Sequence, residues 1–303
     1  MRVLVTGATG FVGGNLIPAL LDAGHTVVAM VRDTERYDPP PGVEVVEGDV
    51  LDPDITLPTV DAAYYLIHSM AADGDFSELD RRAARNFVTA ADAAGIERII
   101  YLGGLGEDEE ELSEHLKSRR EVERLLGEGE AALTVLRAAI IIGDGSASFT
   151  VIRQLVERLP VMVTPSWVRT DCQPIYIDDV IAYLVGVLEN PSTAGRTFDI
   201  GGPDVLTYQE ILVRTAQIHV GRRPLIVPVP VLSPGLSARW LGLVTDVPVS
   251  VAKPLVDGLK NRVVVTDDSV TDYVDVELTP FVEAVRMALD IELDNREPKP
   301  APA

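Results

Sequence analysis

Gly7, Gly10 and Gly13 stand at three-residue intervals between the apolar run Val3-Leu4-Val5 and the helix-forming Asn15-Leu16. Glycines at this spacing, opening a helix straight after a strand, suit a backbone that must turn sharply and come close to a dinucleotide pyrophosphate. Gly7 and Gly10 make the approach, and Gly13 lets the helix pack on the strand. Ala8, Thr9, Phe11 and Val12 complete the turn and the first helical residues. Free N–H groups at the helix start, with their partial positive charge, are the expected ligands of the phosphates.

The elements that position this turn follow from hydrophobic periodicity. Apolar strands are predicted over 3–6, 26–31, 43–46, 62–67, 99–102, 133–137 and 197–200. Helices are predicted over 12–23, from Ser77 to Ala94 and around 112–127, the second opening on a capping-box-like Ser77 and Asp80. Repeated strand–helix alternation predicts an α/β fold, a doubly wound parallel sheet with helices on both faces. Residues 1–200 are assigned mainly to this nucleotide-binding domain. Residues 201–290, with parts of 144–175, are assigned to a smaller interleaved lobe, and 291–303 to a disordered tail. Leu225 to Pro230 carries two prolines and is expected as an edge strand or extended loop.

Composition sets limits on function. The chain has 303 residues and a formal net charge of −21, which argues against a basic nucleic-acid-binding surface. Lysine occurs only at Lys117, Lys253, Lys260 and Lys299, while carboxylates are spread along the chain, a bias that resembles proteins of halophiles. Molar salt shortens the Debye length to about 3 Å and screens such self-repulsion. Glu107 to Glu111 is a local acidic run expected as a solvated loop or helix entry. Cys172 is the single cysteine and the histidines are scattered, so neither a disulfide nor a metal site is expected. Without an apolar stretch of about 18 residues or a leader sequence, a soluble cytoplasmic protein with no integral membrane segment is expected. Oligomerisation is left open.

Four motifs together carry a family resemblance: Thr6-Gly7-Ala8-Thr9-Gly10-Phe11-Val12-Gly13, Gly48-Asp49-Val50, Gln173 to Val180, and Gly195 to Gly202. Over about residues 1–290 the chain resembles the extended and atypical short-chain dehydrogenase/reductase superfamily, in particular its NAD(P)H-binding, epimerase-like members. The resemblance implies a Rossmann-type sheet with a C-terminal substrate lobe. It also implies that Asp49 binds the adenine amino group, that Val50 offers a backbone contact, and that Ile67 and His68 pass the nicotinamide ribose. Where NAD-selective members place a carboxylate, this chain has Val31 followed by Arg32. A neutral residue and a planar guanidinium favour a ribose 2′-phosphate, so NADP(H) is expected over NAD(H).

The superfamily's catalytic tyrosine and lysine are replaced. Aligning helix 112–127 puts His115 at the tyrosine position and Arg119 at the lysine position, and Tyr101 to Gly106 lacks the usual serine. Two readings stay open. In one, His115 donates a proton while NADPH delivers hydride to a carbonyl, imine or activated double bond of a small molecule, and Arg119 positions the ribose. In the other, the fold binds NADPH without turnover, as a regulator or accessory subunit. A sugar-nucleotide epimerase or dehydratase ranks below both, because it relies on the missing pair. Arg137, Ala138 to Gly143, Phe149, Val161, Met162, Val163 and Trp167 suggest an apolar ligand, or else an interlobe core. Asp178 and Asp179 are expected to compensate the dipole at a helix start.

Overall fold

The computed structural model describes residues 1–68, 76–106, 112–229, 245–246, 248 and 257–291. The acidic run 107–111 and the tail from 292 onward lie outside them. Seven strands build the main sheet: β1 (Arg2–Thr6), β2 (Thr26–Val31), β3 (Glu44–Glu47), β4 (Ala62–Tyr65), β5 (Arg98–Gly104), β6 (Ala132–Ala138) and, later in the chain, β11 (Thr197–Ile200). Their order is β11-β6-β5-β4-β1-β2-β3, and every pairing is parallel. The strand order reverses at β1, so the crevice outside the carboxyl ends of β1 and β4 is the place where such a sheet takes a ligand.

These strands are nearly continuous apolar runs because both faces are covered. Leu4, Val28, Ala63, Ile99 and Val135 face α2 (Phe76–Ala94) and α3 (Glu114–Leu126), which bury Ala84, Phe87, Val122 and Leu125 against them. The alternate residues Val3, Val27, Tyr64, Ile100 and Leu136 belong to a second core. That core takes in α1 (Phe11–Asp22) and α5 (Ile177–Glu189) through Leu16, Leu20, Val180 and Leu184. Tyr64 donates from its hydroxyl to the Leu184 carbonyl at 2.8 Å, so a buried polar tip is satisfied. At the opposite end of the sheet from the glycine turn, buried Arg98 donates to the Val187 and Leu188 carbonyls and to the hydroxyls of Thr134 and Thr193. It closes that end with carbonyls at the α5 C-terminus.

The remaining elements are short pairs and helices packed on the second core. They comprise β7 (Ile141–Ile142) with β10 (Ile175–Tyr176), β9 (Asp171–Cys172) with β12 (Leu206–Thr207), and β8 (Val161–Pro165) with β13 (Leu225–Val229). Helices α4 (Ala147–Arg158), α6 (Tyr208–His219) and α7 (Phe281–Ala288) pack with them. The proline-bearing 225–229 stretch is a strand of a two-stranded sheet, with Pro228 opposite Thr164. Phe149 and Met162 are buried in the second core, and Val161 and Val163 are exposed, which favours the core reading of that apolar stretch.

The residues of the later motifs clamp the returning chain. Gln173 Oε1 accepts from Val265 N, and Asp199 accepts from Thr266 N and Oγ1. Asp179 accepts from Thr279 N at 2.9 Å and Thr279 Oγ1 at 2.8 Å, and Asp204 accepts from Phe281 N at the start of α7. Asp178 and Asp179 do stand in the first turn of α5. Asp179 is 4% exposed, however, and its two oxygens are spent on Thr279 rather than on its own helix. Asp179→Ala leaves the half-buried Thr279 N–H without its acceptor and removes two hydrogen bonds to a buried charged group. Urea unfolding is therefore expected to show a loss of about 2–4 kcal/mol, and a change below about 0.5 kcal/mol would contradict the clamp.

Candidate functional site

The glycine turn is built by exclusion of side chains. Gly7 has φ +72°, and a Cβ there would lie 2.7 Å from the Leu66 carbonyl oxygen. A Cβ on Gly13 would lie 2.3 Å from the Gly7 carbonyl oxygen, so α1 sits directly on the turn that precedes it. Gly10 is the residue before α1, and neither a side-chain cap nor an acidic first turn occupies that helix start. The N–H groups of Phe11 and Val12 are thus left for an external acceptor. Ala8 is buried, Thr9 and Gly10 are exposed at the tip, and the Phe11 ring packs where a Cβ on Gly143 would fall. An uncapped helix N-terminus behind a cradle with no room for a Cβ fits a pyrophosphate.

Arg32 follows β2 on the same edge and is exposed, with no ion pair among the described residues. Asp33 beside it is turned into its own loop, accepting from Glu35 N at 3.1 Å and pairing with Arg36 Nε at 3.1 Å. The carboxylate that could have opposed a 2′-phosphate is therefore already engaged. Asp49 accepts from Leu51 N through Oδ1, which leaves its other oxygen open. Val50 is buried, and its carbonyl accepts from Asn86 Nδ2.

At the carboxyl ends of β4 and β5 the fold brings together residues that are far apart in sequence. Gly104 allows α3 to close on the sheet, since a Cβ there would lie 2.8 Å from Leu116 Cδ2. That packing sets the first turn of α3, with Ser113 as its cap, beside the segment leaving β4. The rings of His68 and His115 are 4.9 Å apart, centre to centre. His68 Nδ1 lies 3.1 Å from Asp80 Oδ2, which also accepts from Ser118 Oγ at 3.2 Å. Asp80 is not the capping-box partner that its spacing from Ser77 suggested, because α2 already begins at Phe76. It is 3% exposed and faces α3, on the buried row shared with Ala83, Ala84 and Phe87. Asp80 and Ser118 escaped the sequence reading, and the available signal was a carboxylate on an otherwise apolar helix face.

Electrostatics keep both imidazoles neutral near pH 7. Burial, with the Arg119 guanidinium second, pulls His68 down to about 4 against the opposing pull of Asp80. Burial and then Arg119 hold His115 well below the usual histidine range. Among the described residues His68 Nε2 and His115 Nδ1 are buried without hydrogen-bond partners, which leaves Nε2 of His115 for the open side. Ile67 is half-buried against the core under α2. Tyr64, Tyr65 and Tyr101 are core residues, as their place in strands predicts, and Tyr101 donates to the Arg119 carbonyl at 3.4 Å.

Arg137 stands elsewhere than expected. Its guanidinium forks onto Glu123 of α3, at 2.6 Å and 3.1 Å, and lines a shallow polar groove with Arg120, Arg124 and Thr197. Cys172 is fully buried, and burial pushes its thiol up to about 12, which makes it inert. The described residues contain no group of three or more His, Cys, Asp or Glu able to hold a metal, and no helix long and apolar enough to cross a membrane.

Comparison with known proteins shows what this geometry is similar to. Residues 7–155 match the NAD(P)H-binding family model. The 3β-hydroxysteroid dehydrogenase/Δ5→4-isomerase of Mycobacterium tuberculosis is 37% identical over 105 residues, 34% of this chain and 28% of that protein, so the chain spans little more than a quarter of that relative. A mitochondrial NADH dehydrogenase 1 alpha subcomplex subunit 9 of Arabidopsis thaliana is 25% identical over 298 residues, 91% of this chain and 73% of that protein. The triphenylmethane reductase of Citrobacter sp., solved with NADP(H), shares the fold at TM-score 0.76 and 21% identity, covering 95% of this chain and 100% of that one. Residues 7–155 form an NAD(P)H-binding domain, and the chain as a whole shares the fold of the NADP(H)-bound triphenylmethane reductase.

Proposed function

We propose that this chain is an NADP(H)-dependent reductase of an apolar carbonyl, imine or activated double bond. One observation carries the reading: His115, in contact with His68, lies beside Arg119 at the sheet edge that also carries the glycine turn. Gly7 to Gly13 would hold the pyrophosphate on the α1 N-terminus, Arg32 the 2′-phosphate, Asp49 and Val50 the adenine, and Ile67 the surroundings of the nicotinamide ribose. The reduced nicotinamide supplies a hydride when bound. His115, neutral and carrying an N–H, donates a hydrogen bond from Nε2 to the acceptor atom and gives up that proton as negative charge develops there. Arg119 binds and orients a ribose hydroxyl through its fork and keeps its own proton, because a guanidinium stays charged.

An apolar substrate is supported by the steroid and triphenylmethane named for two of the similar proteins. The acidic, lysine-poor surface is read as that of a cytoplasmic protein working in concentrated salt. A second reading, NADPH binding without turnover in a larger assembly, is favoured by the replaced tyrosine and lysine and by the wide match to the plant complex subunit. NADPH oxidation in molar potassium chloride, with a panel of ketones, quinones and imines, separates the two.

His115→Ala is expected to lower kcat/KM at least about 100-fold and to leave the NADPH Kd unchanged. Unaltered turnover would remove His115 from the mechanism. Arg32→Ala is expected to weaken NADPH about 10- to 100-fold and to leave NADH nearly unaffected. Equal affinity of the unaltered chain for the two cofactors would sink the 2′-phosphate assignment.

A further inference from the structure

A neutral imidazole cannot release its single proton without becoming an imidazolate, so His115 acts as an acid only if a second proton enters its ring as the first one leaves. The nitrogen able to receive it is Nδ1, buried and unpartnered among the described residues, on a ring 4.9 Å from His68. His68 has a matching unpartnered nitrogen, Nε2. Its other nitrogen, Nδ1, lies 3.1 Å from Asp80 Oδ2. An ionised carboxylate only accepts, so this contact puts a proton on His68 Nδ1 and makes Nε2 the free end of the ring. Ser118 Oγ donates to the same Asp80 oxygen and keeps it aimed at His68.

We propose that Asp80 and His68 are positioning residues that supply His115 from behind, Asp80 fixing the His68 tautomer and steadying its imidazolium, and His68 Nε2 passing a proton to His115 Nδ1. This rests on the reductase reading and deepens it. In the step, the substrate oxygen takes the proton from His115 Nε2 as its carbon receives the hydride that a bound reduced nicotinamide would supply. The His68 Nε2–H bond breaks as the His115 Nδ1–H bond forms. His68, neutral at rest, takes up this proton from water at Nε2 before the step and is for that moment the imidazolium that Asp80 steadies; it ends neutral with its Nδ1–H on Asp80, and a turn of the His115 ring, left as the other tautomer, returns its N–H to the substrate side. The rings are tilted by 44° and these nitrogens are not hydrogen-bonded, so a turn of one imidazole or one bridging water completes the path. Among the described residues, the charged and titratable groups around the pair are Asp80 from α2, Arg119 from α3, Tyr65 from β4 and Tyr101 from β5. Asp80 is the carboxylate among them that opposes Arg119.

Long-range proton–nitrogen NMR of the cofactor-free full chain, labelled at histidine, reads the pair whether or not the protein turns over a substrate. His68 of the unaltered chain is expected as the Nδ1–H tautomer. Asp80→Asn is expected to invert it to Nε2–H, because the amide NH2 donates where the carboxylate accepted, and Asp80→Glu is expected to restore it. An Nε2–H tautomer in the unaltered chain, which needs no variant to fold, overturns the proposal, as does a tautomer indifferent to Asp80→Asn. In turnover with NADPH and a reducible ketone or quinone, Asp80→Asn should lower kcat tenfold or more, leave the KM for NADPH unchanged and displace the pH profile. Turnover with unchanged kcat in Asp80→Asn overturns the relay alone. Absence of turnover in the unaltered chain overturns the reductase reading and with it the relay, even where the tautomer is as expected.

Discussion

The close seat of α1 on the turn that precedes it is the contact from which the rest of the site follows. With 2.3 Å between a hypothetical Gly13 Cβ and the Gly7 carbonyl oxygen, any side chain there would lift the helix off the sheet. Gly7, at φ +72° and tight against Leu66, makes the same demand from the other side. Together they point an uncapped helix N-terminus into the crevice where the strand order reverses. A dipole and free N–H groups then face a single place, and the edges of β2, β4 and β5 lie around it.

The lower half of the molecule holds that edge still. Arg98 satisfies the carbonyls at the end of α5, and carboxylates at positions 179, 199 and 204 take up the backbone N–H groups of the returning chain. Two of these carboxylates, Asp179 and Asp199, are themselves buried. Within the site the same economy recurs at Asp80, whose one oxygen meets both His68 and Ser118.

The sheet was legible because strands covered on both faces leave unbroken apolar runs, and glycines mark where helices and turns approach. The glycine turn was legible for the same reason, being local in sequence. The histidine cluster was only half so. His115 and Arg119 are found by the spacing of a single helix, whereas the meeting of His68, Asp80 and His115 depends on how α3 settles over Gly104. Asp80 was read as half of a capping box with Ser77 because capping boxes and buried carboxylates share the same residue types. Arg137 was misplaced for a related reason: a charged residue at an element's end has several geometrically distinct partners within reach, and packing selects among them, as it also gives Asp179, at its expected helix start, the further partner Thr279.

The most direct measurement is a crystal structure of the chain with NADPH, grown from concentrated salt. The pyrophosphate is expected on the Gly7–Gly13 turn, the 2′-phosphate against Arg32, and His115 Nε2 as the protein proton donor nearest nicotinamide C4. A nicotinamide ring walled in by apolar side chains, with His115 turned away from it, would contradict the account and leave a protein that holds its cofactor without using it.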